Sequence, residues 1–330
     1  MMKIEAKRFF LESMCIVLLL VFLSSCNSNP TINNNSDKAN ELNGTISISG
    51  AFALYPLTAK WAEEFQKIHP NVRIDISAGG AGKGMADALS GMVDLGMFSR
   101  GITDAEKAKG CWWLAVTKDA VLPTINAANP WIDQIRKKGI THDQFEKIYI
   151  KGEIIKWKEL YGDGEDKQIN VYTRSDACGA AQMWGEYLGK DQESLLGVGV
   201  FGDPGMADAV KNDTYSLGFN NVIYVYDLKT RKCYDKMEVV PIDLNGDGVI
   251  NADEDFYATI DDVTVATKSG KYPSPPARDL YFVSKGKPTN KVVIEFLKWI
   301  LVDGQKYVEE AGYVILAEEK INQEMTKLNP

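Results

Sequence analysis

Residues 243–254, Asp-Leu-Asn-Gly-Asp-Gly-Val-Ile-Asn-Ala-Asp-Glu, space their oxygen-bearing side chains as a hard divalent cation requires. Asp243, Asn245 and Asp247 take positions one, three and five of a twelve-residue calcium loop. Gly248 supplies the sharp turn at six, and Val249 offers its carbonyl at seven. Asn251 stands at nine, and Glu254 brings the bidentate carboxylate at twelve. A structural Ca2+ is therefore expected here. The apolar run before the loop, residues 237–242, reads as a strand, which argues for a clip rather than one half of a paired helical sensor.

A second chemistry is suggested by three short turns of small residues, each directly before a helix: Ser49 to Phe52, Gly80 to Gly82, and Ser175 to Gly179. Helix N-termini present unpaired N–H groups and the positive end of a dipole, so turns that converged would form an anion site. Ordinary strand-to-helix turns look the same in sequence. A phosphate-cradling P-loop is excluded, because Lys83 is followed by Gly84 and Met85 with no Ser or Thr. Arg174 either meets a ligand or only pairs with Asp176. Cys178 at a helix start is either a thiol made reactive by the dipole or a small packed residue.

The counts narrow the classes. Two histidines in 330 residues, His69 and His142, cannot build a multi-histidine metal centre and give little material for a Ser/His/Asp or Cys/His site. With 37 Lys and Arg against 45 Asp and Glu, the net charge of −8 argues against a nucleic-acid partner.

The elements that must position these residues alternate. A strand at 45–49 leads to a helix from Tyr55 to Ile68 with Pro56 in its first turn. A strand at 72–77, the glycine-rich turn 78–84, a helix to Ser90 and a strand at 93–97 follow. Further on, 141–150 reads as an amphipathic helix, 169–174 as a strand and 177–189 as a helix. A strand at 279–284 and two helices around Asp303 and Gly304 close the chain. Such alternation predicts an α/β fold with mostly parallel sheet.

Residues 1–25 read as an export signal. The basic start holds Lys3, Lys7 and Arg8, and the apolar run from Cys15 to Leu23 is too short to span a membrane. Leu23-Ser24-Ser25-Cys26 is similar to a bacterial lipobox, which implies a lipid on Cys26 and extracytoplasmic anchoring. Residues 26–43 read as a flexible tether. The body's Cys111, Cys178 and Cys233 are odd in number, so at most one disulfide can form among them.

A colinear series of segments resembles the substrate-binding lipoproteins and periplasmic proteins of phosphate ABC transporters: 49–65, 80–100, 141–160, 169–184, 215–224, 278–286 and 303–316. The resemblance covers nearly all of the mature chain. It implies a two-lobed periplasmic binding protein fold of type II character with two chain crossings. Lobe one would take residues 44–118 plus 279–330, and lobe two residues 119–278 with the calcium loop inserted. It also implies a monomer that holds phosphate or a related oxyanion between the lobes and delivers it to an ABC permease, hinge closure being the signal read at the membrane.

Carried over residue by residue, the implied ligand site is Ala51, Phe52, Ala53, Ala81, Ser99, Arg174, Asp176, Cys178, Gly179 and Ala180. Several positions where the family has hydroxyls carry none here. Three lost bonds to a charged ligand, at roughly 1.5–3 kcal/mol each, would remove about 5–9 kcal/mol. Either phosphate is held by backbone, Arg174 and Ser99, or the ligand is a different small anion or solute. Two other classes compete: an enzyme with Cys178 as nucleophile, and a calcium-stabilised sensor or surface protein.

Overall fold

The computed structural model describes residues 41–162 and 164–329. The signal segment, Cys26 and most of the tether lie outside the described residues. Leu42 is already buried in a core, so packed structure starts just before the expected end of the tether.

Nine strands form one sheet: β1 (Gly44–Gly50), β2 (Val72–Ala78), β3 (Leu95–Phe98), β4 (Cys111–Asn126), β6 (Asn170–Arg174), β7 (Val198–Val200), β8 (Ser216–Asn221), β9 (Met237–Val239) and β11 (Ala277–Lys285). The order is β2-β1-β3-β11-β4-β8-β6-β7, with β9 also on β4. Two short strands, β5 (Ile140–Thr141) and β10 (Ile242–Asp243), pair in parallel beside it. The longer helices are α1 (Tyr55–Ile68), α2 (Ala81–Ser90), α3 (Gly179–Tyr187), α4 (Gly202–Asn212), α5 (Ile260–Ser269), α6 (Lys291–Leu301) and α7 (Glu318–Leu328).

The two ends of this sheet serve different cores. β1 runs parallel to β2 and β3, and β6 runs parallel to β7 and β8, as strand-helix-strand units require. Between them β4 and β11 lie antiparallel, from Cys111 opposite Lys285 to Ala120 opposite Ala277. Beyond Ala120, β4 leaves β11 and pairs with β8. One core gathers Trp61, Phe65, Phe98, Phe282 and Phe296, and the other gathers Phe145, Tyr149, Trp157, Trp184 and Phe219. The chain passes from one to the other on β4 between Val116 and Ala120, and returns on β11 between Ala277 and Leu280. These two passages are the crossings of a two-lobed α/β fold.

Local sequence explains most elements. In α1, Leu57, Trp61, Ala62 and Phe65 fall on one buried face, and Pro56 occupies the first turn where its missing N–H costs nothing. Trp61 is fully buried, and its Nε1 donates to the Gly304 carbonyl at 2.8 Å. Truncation to Ala would cost about 3–5 kcal/mol.

Three expectations change. The helix predicted over 141–150 is α-helical only at His142–Glu146 and π-helical at Lys147–Lys151, which lets the neighbours Ile148 and Tyr149 both be buried. The segment after Gly304 is a short 3-10 turn, because buried Gln305 donates its amide to the Val116 and Ile300 carbonyls. α4, α5 and α7 had no counterpart in the predicted element pattern. Among the described residues no helix is long and apolar enough to cross a membrane.

Candidate anion-binding cleft

The first turn is fixed by close backbone packing. Gly50 has φ +131°, and a Cβ there would stand 2.3 Å from the Met97 carbonyl oxygen and 2.7 Å from Gly84 Cα. Only glycine allows α2 to press onto β1 in this way. The Gly50 carbonyl accepts from Gly79 and Gly80 at 2.9 and 3.1 Å, tying the second turn to the first. Ala51 N–H is taken by the Met97 carbonyl at 2.9 Å. Of the first-turn residues, Ala51 and Ala53 are buried and Phe52 is half-buried. Ala81 opens α2 and is buried.

The third turn faces these two across the lobes and touches them. Gly82 N–H donates to the Ala177 carbonyl at 3.0 Å. A Cβ on Gly179 would stand 2.1 Å from the Ser99 carbonyl oxygen and 2.3 Å from Ser99 Oγ. Tyr224 donates its hydroxyl to the Phe52 carbonyl at 3.1 Å, while the Phe52 ring meets Phe201 edge-on at 6.2 Å. The turns therefore converge, and the lobes are in contact around them. Cys178 N–H donates to Gln192 Oε1 at 3.0 Å, and Cys178 Sγ accepts from Ala181 N–H at 3.4 Å. Gly179 and Ala180 open α3, where the first N–H groups of a helix have no carbonyl partner within it. Ser99, buried against them, is the hydroxyl that faces this helix start.

Arg174 ends β6 and is buried. Its Nε and Nη2 grip Asp176 at 2.8 and 2.7 Å, and Nη1 donates to Asp203 Oδ2 at 2.9 Å. Asp176 Oδ1 also accepts from Gly202 N–H at 3.0 Å. Burial alone would lower the Arg174 pKa, but Asp203, Cys178 and Asp176 hold it above its ordinary value. Two carboxylates on one guanidinium leave this cluster with a net negative charge, so the cation expected to meet the ligand is already neutralised.

The cluster extends to the crossings. Asn221 donates to the second Asp203 oxygen and accepts from Arg278 Nη2. Arg278 Nε stands 3.1 Å from Asp119 Oδ1, and its Nη1 has no hydrogen-bond partner. Asp119 and Arg278 lie on β4 and β11 where the chain changes lobes. Burial pushes the Asp119 carboxyl up to about 7, with Arg278 opposing and Asp203 adding to the rise. Asp119, Asp203, Asn221, Arg278 and Gln192 were all missed in the sequence. The one available signal was a charged residue inside an apolar run, as with Asp119 in β4.

Two alternatives are decided here. Cys178 is buried, and burial pushes its thiol up to about 12 against the lowering by Arg174, which favours the small packed residue over a thiol activated by the dipole. The three described cysteines are free thiols.

In the calcium loop, the side-chain oxygens of Asp243, Asn245, Asp247 and Glu254 accept backbone N–H groups, while the Asn251 amide donates to Asp247, the Val249 carbonyl and Glu254. Asp243 accepts from Gly246 and Gly248, Asn245 from Asp247, and Asp247 from Val249, at 2.7–2.9 Å. Glu254 accepts from Leu244, Asn245 and Asn251. Asp243 and Glu254 are buried, and the Asn251 amide, followed by Val249 N–H, lowers the Asp247 pKa. Among the described residues no three Asp, Glu, His or Cys side chains converge as a metal site. A calcium ion would therefore depend on Asn245, Asn251 and the Val249 carbonyl as well.

Two lobes joined by two strand crossings, with helix-opening turns meeting between them, define a binding protein of the two-lobed periplasmic class. The chain belongs to the PBP superfamily, whose domain model matches residues 35–303. The phosphate-binding protein PstS of Staphylococcus haemolyticus is 25% identical over 328 residues, covering 98% of this chain and 97% of that protein. PstS of Staphylococcus aureus strain USA300 is 25% identical over 315 residues, 93% of this chain and 88% of that protein. Solved structures share the fold. A Clostridium perfringens structure, described as a phosphate ABC transporter substrate-binding protein with bound phosphate, superposes with a TM-score of 0.68 at 24% identity. It covers 83% of this chain and 100% of its own. An ABC-type phosphate transport receptor from Vibrio cholerae gives 0.60 at 20% identity, covering 82% and 100%.

Proposed function

We propose that this chain is an extracytoplasmic solute-binding protein that captures phosphate, or a related small oxyanion, between its lobes and delivers it to an ABC permease. What carries the reading is the meeting of three helix-opening turns around Ser99 and the α3 N-terminus, in a chain matched over 93–98% of its length by PstS relatives. Binding falls to backbone N–H groups of the Phe52, Ala53, Gly179 and Ala180 positions and to Ser99, with Arg174 and Asp176 shaping one wall. The protein acts as a monomer without catalysis, held at the membrane by lipid on Cys26, with Ca2+ clipping the 243–254 loop.

A second reading, a different anion in the same cleft, is favoured by one observation: Arg174 is already held by Asp176 and Asp203. Calorimetric titration of the lipid-free chain with phosphate, sulfate, carbonate and arsenate tests both. Phosphate heat at micromolar concentration supports the first reading. Silence with phosphate up to about 10 mM, a free energy of binding weaker than about 3 kcal/mol, ends it.

A further inference from the structure

Behind the crossings lies a pocket of about 300 Å3 that the phosphate reading does not use. Its walls carry Lys118, Lys268 and Lys320 against a single carboxylate, Asp279, in a chain whose overall charge is −8. Its floor is the apolar strip Val314 to Ala317. The floor is fixed to the hinge by backbone: Lys118 N–H donates to the Val314 carbonyl at 3.1 Å, and Val314 N–H returns the bond at 2.9 Å.

The lysines are only partly satisfied. Lys118 Nζ stands 4.0 Å from Asp279 Oδ1, and Lys320 Nζ 3.9 Å from Asp279 Oδ2, both beyond hydrogen-bond reach. Lys320 also reaches Glu324 at 3.2 Å, a carboxylate it shares with Lys327, and Lys268 leans on exposed Glu309 at 3.4 Å. An incoming carboxylate would turn the long contacts into charge-assisted hydrogen bonds.

We infer that this pocket binds a short-chain organic dicarboxylate, its charged ends on Lys118 with Lys320 and on Lys268, its hydrocarbon on the Val314 to Ala317 floor. An inorganic oxyanion would leave that apolar floor uncovered, whereas a dicarboxylate matches both surfaces. Lys268 belongs to α5, which packs in the core of lobe two, and Lys320 to α7, which packs on that of lobe one. Lys118 and Asp279 face each other on the two crossing strands. The ligand thus bridges both lobes at the hinge and favours one lobe arrangement over others.

The inference does not depend on phosphate binding, and its test keeps the two apart. Glutarate is titrated into the full-length chain in detergent, with phosphate titrated separately. Saturable glutarate heat is expected in the wild type, both without phosphate and with phosphate present at about 10 mM. It should weaken by about tenfold or more in Lys118→Met and in Lys268→Gln, as loss of one charge-assisted bond implies. Lys268 is exposed, so its variant is informative even if Lys118→Met fails to fold. Absence of glutarate heat, affinity unchanged in the Lys268 and Lys118 variants, or loss of glutarate binding when phosphate is present would each overturn the assignment.

Discussion

Asp119 makes a prediction whose sign separates two accounts of the hinge. The carboxyl sits beside Arg278 at 3.1 Å, an arrangement that in water would lower its pKa, yet burial raises it to about 7. A folded-state value above the unfolded one, about 3.9, means the native protein binds this proton more tightly. Stability from this group is therefore full below about pH 4 and is lost as pH rises towards 7. About three pKa units correspond to about 4 kcal/mol. Asp119→Asn keeps the shape and removes the titration, and Arg278 retains the Asn221 carbonyl oxygen. Urea unfolding of both proteins from pH 4 to 8.5 provides the assay. The stability of Asp119→Asn minus that of the wild type should climb by about 3–4 kcal/mol across this range. Other titrating groups cancel in the difference. A flat difference, or one that falls with pH, would refute the reasoning and show that Arg278, not burial, governs the pair.

Four further outcomes follow from the same geometry. Asp203→Asn removes a carboxylate from Arg174 and should tighten oxyanion binding by roughly thirtyfold, since two charges about 7 Å apart interact by about 2 kcal/mol at an effective dielectric near 20; calorimetry reads it. Restoring a hydroxyl with Ala180→Thr at the α3 start should gain about 1.5–3 kcal/mol of phosphate affinity if the ligand sits on that helix. Gly50→Ala places a methyl 2.3 Å from the Met97 carbonyl oxygen and should destabilise by about 3 kcal/mol or prevent folding, read by thermal melting. For the loop, calcium should raise the melting temperature, and chelator or Glu254→Gln should remove that gain by about the same amount.

Much of the fold was legible because short-range physics fixes it. The α1 apolar face, Pro56 at its start, the alternating β1 and the glycine-rich turn before α2 each carry their own signature, and the boundaries of α1 match the structure at Tyr55 and Ile68. The α-to-π change at Lys147 and the 3-10 turn at Asp303 were not legible, because they answer to what Tyr149 and Gln305 meet across the core.

The site divides in the same way. Sequence by itself determined which residues could stand at helix starts, that bulk charge would not draw in an anion, and that two histidines could not build a multi-histidine metal centre. Only the tertiary structure decided that Asp203, 29 residues after Arg174, would share its guanidinium, and that Asn221, Arg278 and Asp119 would continue the polar chain to the crossings. Turn chemistry is local, so residue types reveal it. The charge state of a cleft depends on which distant side chains are buried together, and that is set by how β4, β6, β8 and β11 lie side by side.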